Sequence, residues 1–172
     1  MRARRRGFTP SEMLAVVAIL ALLVTMLVPS LNLARRVSRR SACAARLHGV
    51  GRALRMYLNE SDDVMPVAAA MPSLELTDEP RIVDVLADQL GNPEIMLCPA
   101  DPQERFFRAE GSSYQYVTMH GGRRVDQAFL TRRFGQAKTP VMHDYEPFHG
   151  EAGEKGSMNY LFADLHVGDL AD

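Results

Sequence analysis

The chain has 172 residues, of which 47% are hydrophobic and 24% charged, and this length suits one domain with a terminal appendage. Its formal charge of −1 conceals two opposite parts, because residues 1–60 carry a net charge of +9 and residues 61–172 a net charge of −10. Two cysteines are too few for a disulfide-rich scaffold, and their spacing matches no sequence motif of zinc ligands. The charge asymmetry indicates two parts that face different surroundings.

An uncharged apolar segment follows the basic N-terminus. Residues 13–34 contain no charged side chain, and a helix of about 20 apolar residues crosses the hydrocarbon core of a bilayer. The sequence therefore predicts a transmembrane helix over 13–34, with a cleaved signal and a buried core helix as alternatives. Arginines on both sides of the segment make the core helix the least favoured alternative and leave the orientation undetermined by charge.

The residues that join the basic cluster to the apolar segment form a motif. Gly7 and Phe8 follow the arginines, Glu12 comes four residues after Phe8, and a run rich in alanine, valine and leucine begins at Met13. This order resembles the signature of type IV prepilins and type II secretion pseudopilins. The resemblance implies a basic leader at 1–7, cleavage by prepilin peptidase between Gly7 and Phe8, and N-methylation of Phe8.

The same resemblance gives a role to Glu12. An ionised carboxylate in a bilayer costs several kcal/mol unless it is paired, and Glu12 of one subunit would pair with the new amine on Phe8 of its neighbour. Pro29 stands where the family's stem helix often has a kink. Pro10 and Ser11 replace the usual apolar pair of the motif, although proline is well tolerated in the first turn of a helix.

A twin-arginine export signal is a second interpretation of the N-terminus, since Arg5 and Arg6 precede the apolar run. The nearest small-x-small cleavage site is Val28-Pro29-Ser30, in which the proline is unfavourable. Glu12 would have no role in such a signal.

The helical pattern continues beyond the apolar segment, and together with the motif it predicts one stem helix over 8–60. Apolar residues recur at spacings of three and four and form one face: Leu47, Val50, Leu54 and Leu58. Gly49 and Gly51 indicate either close packing or a local melting of the stem. The arginines of the stem are spread around the helix, as in solvated or lipid-facing helices, so we do not expect nucleic-acid binding.

Residues 61–172, called the head, are predicted to form a small α+β domain whose antiparallel sheet packs against the stem helix. A short helix is expected to open at Thr77-Asp78-Glu79-Pro80 and to end at Gly91. Strands are expected at 95–97, 113–119, 140–145 and 158–167.

The head also resembles a subgroup of pseudopilin-like proteins abundant in planctomycetes. The matching elements are Cys43 with Tyr57-Leu58-Asn59-Glu60, Cys98-Pro99, Ser113-Tyr114, and His149 followed by Asn159 through Val167. Leu165 stands where this subgroup usually has glycine. A bridge between Cys43 and Cys98 is one interpretation, if the head lies outside the cytoplasm, and two small buried thiols are the other.

Histidines and carboxylates in the head raise the question of a metal site. Asp144, His149, Asp164 and His166 would supply ligands to calcium or another divalent ion, with the carboxylates suited to calcium and the histidines to zinc. We expect instead that Asp164 and His166 brace the final strand by hydrogen bonds. No nucleophile, phosphate-loop or dinucleotide motif occurs, so no enzyme activity and no cofactor are predicted.

The sequence thus predicts a pseudopilin or pilin-like filament subunit of a type II secretion or type IV pilus-like system. The resemblance implies three partners: prepilin peptidase, other pilin subunits and an inner-membrane assembly platform. It also implies a single-pass protein of the inner membrane with its head in the periplasm or outside the cell. The alternative is a membrane-anchored domain that binds a ligand or metal, or has enzyme activity.

Overall fold

The computed structural model describes residues 10–170 and has an α+β fold, as predicted. The helices are α1 Pro10–Glu60, α2 Ile82–Val85, α3 Ala87–Leu90, α4 Arg105–Glu110 and α5 Phe129–Phe134. The strands are β1 Tyr114–Tyr116, β2 Pro140–Asp144, β3 Tyr160–Phe162 and β4 Val167–Gly168. Short 3-10 helices cover Pro72–Leu74, Pro93–Met96, Pro102–Glu104, Thr118–His120, Val125–Gln127 and Gln136–Lys138.

The four strands form one antiparallel sheet in the order β1-β2-β3-β4. Tyr114 of β1 lies opposite Asp144 of β2, and an irregularity in the β2–β3 pairing falls between Pro140 and Met142. Strands that are neighbours in the sheet are also consecutive in the sequence. This is a simple up-and-down arrangement, which needs no connection that crosses another.

The chain divides into two compact units between Val37 and Ser38. Helix α1 begins in the first unit and ends in the second, so the predicted stem helix is present from residue 10 to residue 60. The second unit contains the head together with residues 38–60 of α1. Its core includes one face of this helix segment, which is why the compact unit begins 23 residues before the predicted head.

The apolar face predicted for the stem is the part of α1 that enters this core. Its four predicted members are at most 1% exposed: Leu47, Val50, Leu54 and Leu58. Cys43 lies in the same row and is fully buried, whereas Arg52 and Arg55 are exposed. The spacing of three and four residues therefore identified the buried face correctly.

Gly51 provides the close approach between α1 and the β3–β4 hairpin. A Cβ atom at this position would lie 3.0 Å from Cδ1 of Leu161 and 3.6 Å from the carbonyl oxygen of Leu165. At Gly49 the nearest contact of such an atom would be an ordinary 3.7 Å, to Cδ1 of Ile95. Helix α1 is continuous through both glycines, and only Gly51 lies at a tight contact.

Two predictions about the first elements of the head need correction, and one is confirmed. The helix expected from Thr77 begins only at Ile82 and is split into α2 and α3 at Leu86, whose backbone leaves the helical region. The strand expected at 95–97 is instead the end of a 3-10 helix that starts at the proline of Pro93–Met96. Gly91 does end α3, with a positive φ of 65°.

The single strand expected at 158–167 is the β3–β4 hairpin. Its turn places Leu165 in the left-handed region with φ of 71°, and the Leu165 amide donates to the carbonyl oxygen of Phe162 at 2.8 Å. Leu165 stands where the resembling subgroup usually has glycine, and leucine is not a turn residue. The alternating pattern of the sequence therefore continues through the turn and hides the reversal.

Candidate functional site

The first candidate is the apolar N-terminal part of α1. Every residue from 10 to 37 whose exposure is described is exposed, including Leu20 at 54% and Leu23 at 59%. The helix is long and apolar enough to cross a membrane. Large apolar side chains on all sides of a helix are stable in lipid or against other helices, and not in water.

Glu12 lies in the first turn of α1 and is exposed. A carboxylate at this end of a helix interacts favourably with the helix dipole. Gly7 and Phe8, the predicted cleavage and methylation residues, lie outside the described residues. The helix continues without a break through Pro29, and the kink there stays a prediction.

The second candidate is a buried cluster around a disulfide bond. Cys43 of α1 and Cys98, which follows the 3-10 helix Pro93–Met96, form a disulfide with their Cα atoms 4.9 Å apart. Both residues are fully buried. The bond links the second half of α1 covalently to the head and closes a chain segment with a sequence separation of 55.

Two hydrogen bonds reinforce this link. The Tyr114 hydroxyl donates to the backbone oxygen of Cys43 at 3.2 Å, and Nη1 of Arg46 donates to the backbone oxygen of Leu97. Burial raises the pKa of Tyr114 well above its ordinary value, and the Asp144 carboxylate raises it further, so this hydroxyl stays a donor across the physiological range. Helix and head are thus joined at three points within one turn of α1.

His149 and Asp144 lie beside the disulfide with fully buried side chains. Nε2 of His149 is 3.7 Å from Sγ of Cys98 and 3.3 Å from Oδ2 of Asp144. The same carboxylate oxygen accepts from the backbone N–H of Asn159 at 2.7 Å and from its side-chain amide at 3.2 Å. The loop that carries His149 is closed by a hydrogen bond from its amide to the oxygen of Ser157.

The structure separates the four residues proposed from sequence as metal ligands. Asp144 and His149 form the buried pair just described, whereas Asp164 and His166 form a half-exposed pair with 2.6 Å between Oδ1 and Nδ1. Among the described residues, one group of potential metal ligands does lie close together, and it consists of Cys43, Cys98 and His149. The described residues therefore do not bring all four together in one group of potential metal ligands.

Asp164 and His166 instead organise the hairpin turn. Oδ1 of Asp164 accepts from the backbone N–H of His166 at 3.2 Å as well as contacting its ring. The His166 ring stacks on Phe162 with 4.4 Å between centroids. This pair has the bracing role that the sequence favoured.

The contact of His149 with the disulfide was not predicted. Both cysteines and His149 were singled out by resemblance, but the path of the loop that carries His149 decides whether they meet. The sequence contains no short motif from which the path of this loop can be predicted. The resulting cluster combines two sulfurs, an imidazole and a carboxylate in a site closed to water, a set of groups suited to redox or metal chemistry.

Comparison of the chain with protein-family models, curated proteins and solved structures found no match.

Proposed function

We propose that this chain is a pilin-like structural subunit of a type II secretion or type IV pilus-like filament. It is made as a membrane-inserted precursor, is cut by prepilin peptidase between Gly7 and Phe8, and is methylated on Phe8. It then assembles with other pilin subunits through residues 10–37 of α1. The observation that carries the proposal is a helix exposed and apolar on all sides, with a carboxylate in its first turn, directly after the Gly7–Phe8 motif.

The exposed helical surface supports assembly as well as anchoring. A surface of this kind has to be covered, first by lipid in the precursor and then by the helices of neighbouring subunits in a filament. An ordinary membrane anchor needs only the first of these environments. A carboxylate is unfavourable in an anchor, whereas it is useful where helices must meet in one register.

Glu12 supplies that register. Cleavage before Phe8 creates a free amine four residues from the carboxylate, and the two groups on adjacent subunits have opposite charge. Pairing across the interface offsets the cost of burying each charge. Only one stagger between subunits brings the two groups together. The rest of the helix is uncharged from 13 to 34 and tolerates many staggers.

The disulfide supports a head outside the cytoplasm. Stable disulfides form in oxidising compartments and are rare in the cytosol, so the Cys43–Cys98 bond favours the periplasm or the cell exterior. We therefore place the chain in the inner membrane, spanning it once, with an inner-membrane assembly platform as a further partner.

The deciding experiment is mass spectrometry of the N-terminus of the protein from its host. The proposal expects a mature chain that begins with methylated Phe8. In a Gly7→Leu variant the leader should remain attached. A start near Leu31 would instead identify an export signal and overturn the proposal.

Filament incorporation tests the role of Glu12. Glu12→Gln keeps the size of the side chain and removes its charge, so the variant should insert in the membrane normally and enter filaments poorly. Glu12→Asp retains a carboxylate and should restore part of the incorporation. If the chain is a membrane-anchored binding domain, both substitutions will leave its behaviour unchanged.

A further inference from the structure

The disulfide, His149 and Asp144 form a cluster whose chemistry the proposed function does not use. Sγ of Cys43, Sγ of Cys98 and one ring nitrogen of His149 all lie within 4.8 Å of one another, and all three residues are buried. Two sulfurs and an imidazole in one place are typical ligands of structural zinc sites. In the oxidised chain the sulfurs are bonded to each other and are not thiolate ligands.

Two distances from Nε2 of His149 match those of a tetrahedral zinc site. Zn–S bonds of about 2.3 Å and Zn–N bonds of about 2.0–2.1 Å place tetrahedral S and N ligands about 3.6 Å apart. The observed distance from Sγ of Cys98 to Nε2 of His149 is 3.7 Å. Nitrogen and oxygen ligands would be about 3.4 Å apart on the same geometry, and Oδ2 of Asp144 lies 3.3 Å from Nε2.

Asp144 is held as a fourth ligand would be. Two hydrogen bonds from Asn159 fix the orientation of its carboxylate, as outer-shell groups do for metal ligands. Among the described residues its other oxygen, Oδ1, has no hydrogen-bond partner although it is buried. An unpaired buried carboxylate oxygen is costly, and a cation bound to this carboxylate would offset that cost.

We propose that the reduced chain binds one Zn²⁺ through Cys43, Cys98, His149 and Asp144, and that the disulfide and the metal are alternative ways of closing the same site. A dithiol reductant gives two electrons and two protons to the Cys43–Cys98 bond and becomes a cyclic disulfide. The two thiols that result lose their protons to solvent when they bind the metal, and zinc remains divalent throughout. A disulfide oxidant reverses the step: it takes two electrons from the two thiolates and two protons from solvent, and becomes a dithiol. The re-formed Cys43–Cys98 bond removes two of the four ligands, and Zn²⁺ is released.

Both states connect the same parts of the molecule. Cys43 belongs to α1, and the other three residues belong to the head, so either closure joins the second half of α1 to the head. The proposal does not rest on filament assembly, because it concerns a buried cluster far in sequence from the N-terminal motif.

Zinc binding by the full chain in detergent micelles tests the proposal. The chain is reduced with excess dithiothreitol, the reductant is removed under anaerobic conditions, and the chain is then dialysed against Zn²⁺. We expect one zinc per reduced chain and none per oxidised chain. Co²⁺ in place of Zn²⁺ should give the absorption of thiolate-to-cobalt charge transfer in the reduced chain alone.

Matched variants separate this site from adventitious binding. The double variant Cys43→Ser, Cys98→Ser lacks the disulfide, as the reduced chain does, and should lose stoichiometric zinc binding. His149→Gln should weaken zinc binding at least tenfold. His166→Gln, a change in the half-exposed histidine–carboxylate pair, should bind as the unchanged chain does. Equal zinc binding by the reduced chain and the double-serine variant, or by the oxidised and reduced chains, would overturn the proposal.

Circular dichroism covers the case in which reduction unfolds the chain. Zinc should then restore the helical signal of the reduced chain and leave that of the double-serine variant unchanged. A reduced chain that zinc does not refold would count against the site as directly as a failure to bind.

Discussion

The two parts of α1 have the same backbone structure and opposite surfaces. Residues 10–37 expose large apolar side chains on every side, whereas residues 38–60 bury one apolar row and expose arginines around it. The first part buries none of the side chains whose exposure is described, and the second forms one wall of the head's core. One continuous helix thus combines a segment that depends on external surroundings with a segment that the chain itself covers.

This difference shows that helix continuity and helix stabilisation are separate properties. Residues 38–60 are held by burial of apolar side chains, by the disulfide and by two hydrogen bonds near it. Residues 10–37 have favourable helix formers and depend on lipid or neighbouring helices to cover them. Substitutions in the two parts should therefore affect different measurements.

The largest expected effect is on membrane association. Leu20→Arg with Leu23→Arg places two charges in the middle of the apolar part, at about 2.5–3.5 kcal/mol each for insertion, and together they should abolish membrane retention. Cell fractionation with alkaline extraction measures it. Met56→Arg is the matched control, because Met56 is 50% exposed in the second part and its substitution should leave retention unchanged. Normal retention of the double-arginine variant would show that the apolar part is not the anchor.

A smaller effect is expected on the stability of the second unit. Leu54→Ala removes a side chain that is 1% exposed, and its loss should lower the free energy of unfolding by about 2–5 kcal/mol. Leu22→Ala, at a position 63% exposed, should change it by less than about 0.5 kcal/mol. Denaturant unfolding in micelles, followed by tyrosine fluorescence, compares the two. Equal losses would mean that both parts of α1 unfold as one unit.

The smallest effect distinguishes the two glycines of α1. Gly49→Ala should raise the free energy of unfolding by up to about 1 kcal/mol, because alanine favours helix and the site has room. Gly51→Ala should lower it by about 1–3 kcal/mol, since the new Cβ atom would press on Leu161, which is fully buried. The same unfolding measurement applies to both variants. A gain in stability at Gly51 would show that the hairpin shifts easily away from α1.

The sequence predicted the parts of the fold that depend on local periodicity. Leu47, Val50, Leu54 and Leu58 lie within three turns of one helix, so their shared face follows from helix geometry alone. The strand β2 was predicted almost residue for residue. The β3–β4 hairpin was missed because Leu165 adopts a turn conformation through its surroundings rather than through its own preference.

The candidate site was less predictable than the fold. Both cysteines were identified, yet their pairing stayed open because nothing local brings residues 55 positions apart together. The position of His149 depends on a loop closed by Ser157 and on a sheet whose register places Asp144 opposite Tyr114. Such contacts arise from tertiary packing, which one sequence does not reveal.

The disulfide also determines how the molecule carries tension. A pull applied between the two ends of the chain would pass from α1 at Cys43 directly to Cys98, through a covalent bond instead of through hydrogen bonds. The intervening segment, with its sequence separation of 55, would bear none of the load. At roughly 3.3–3.6 Å per residue, the fully extended oxidised chain would be about 190 Å shorter than the fully extended reduced chain. The part of the core that lies between the two cysteines is therefore shielded from mechanical force for as long as the bond is intact.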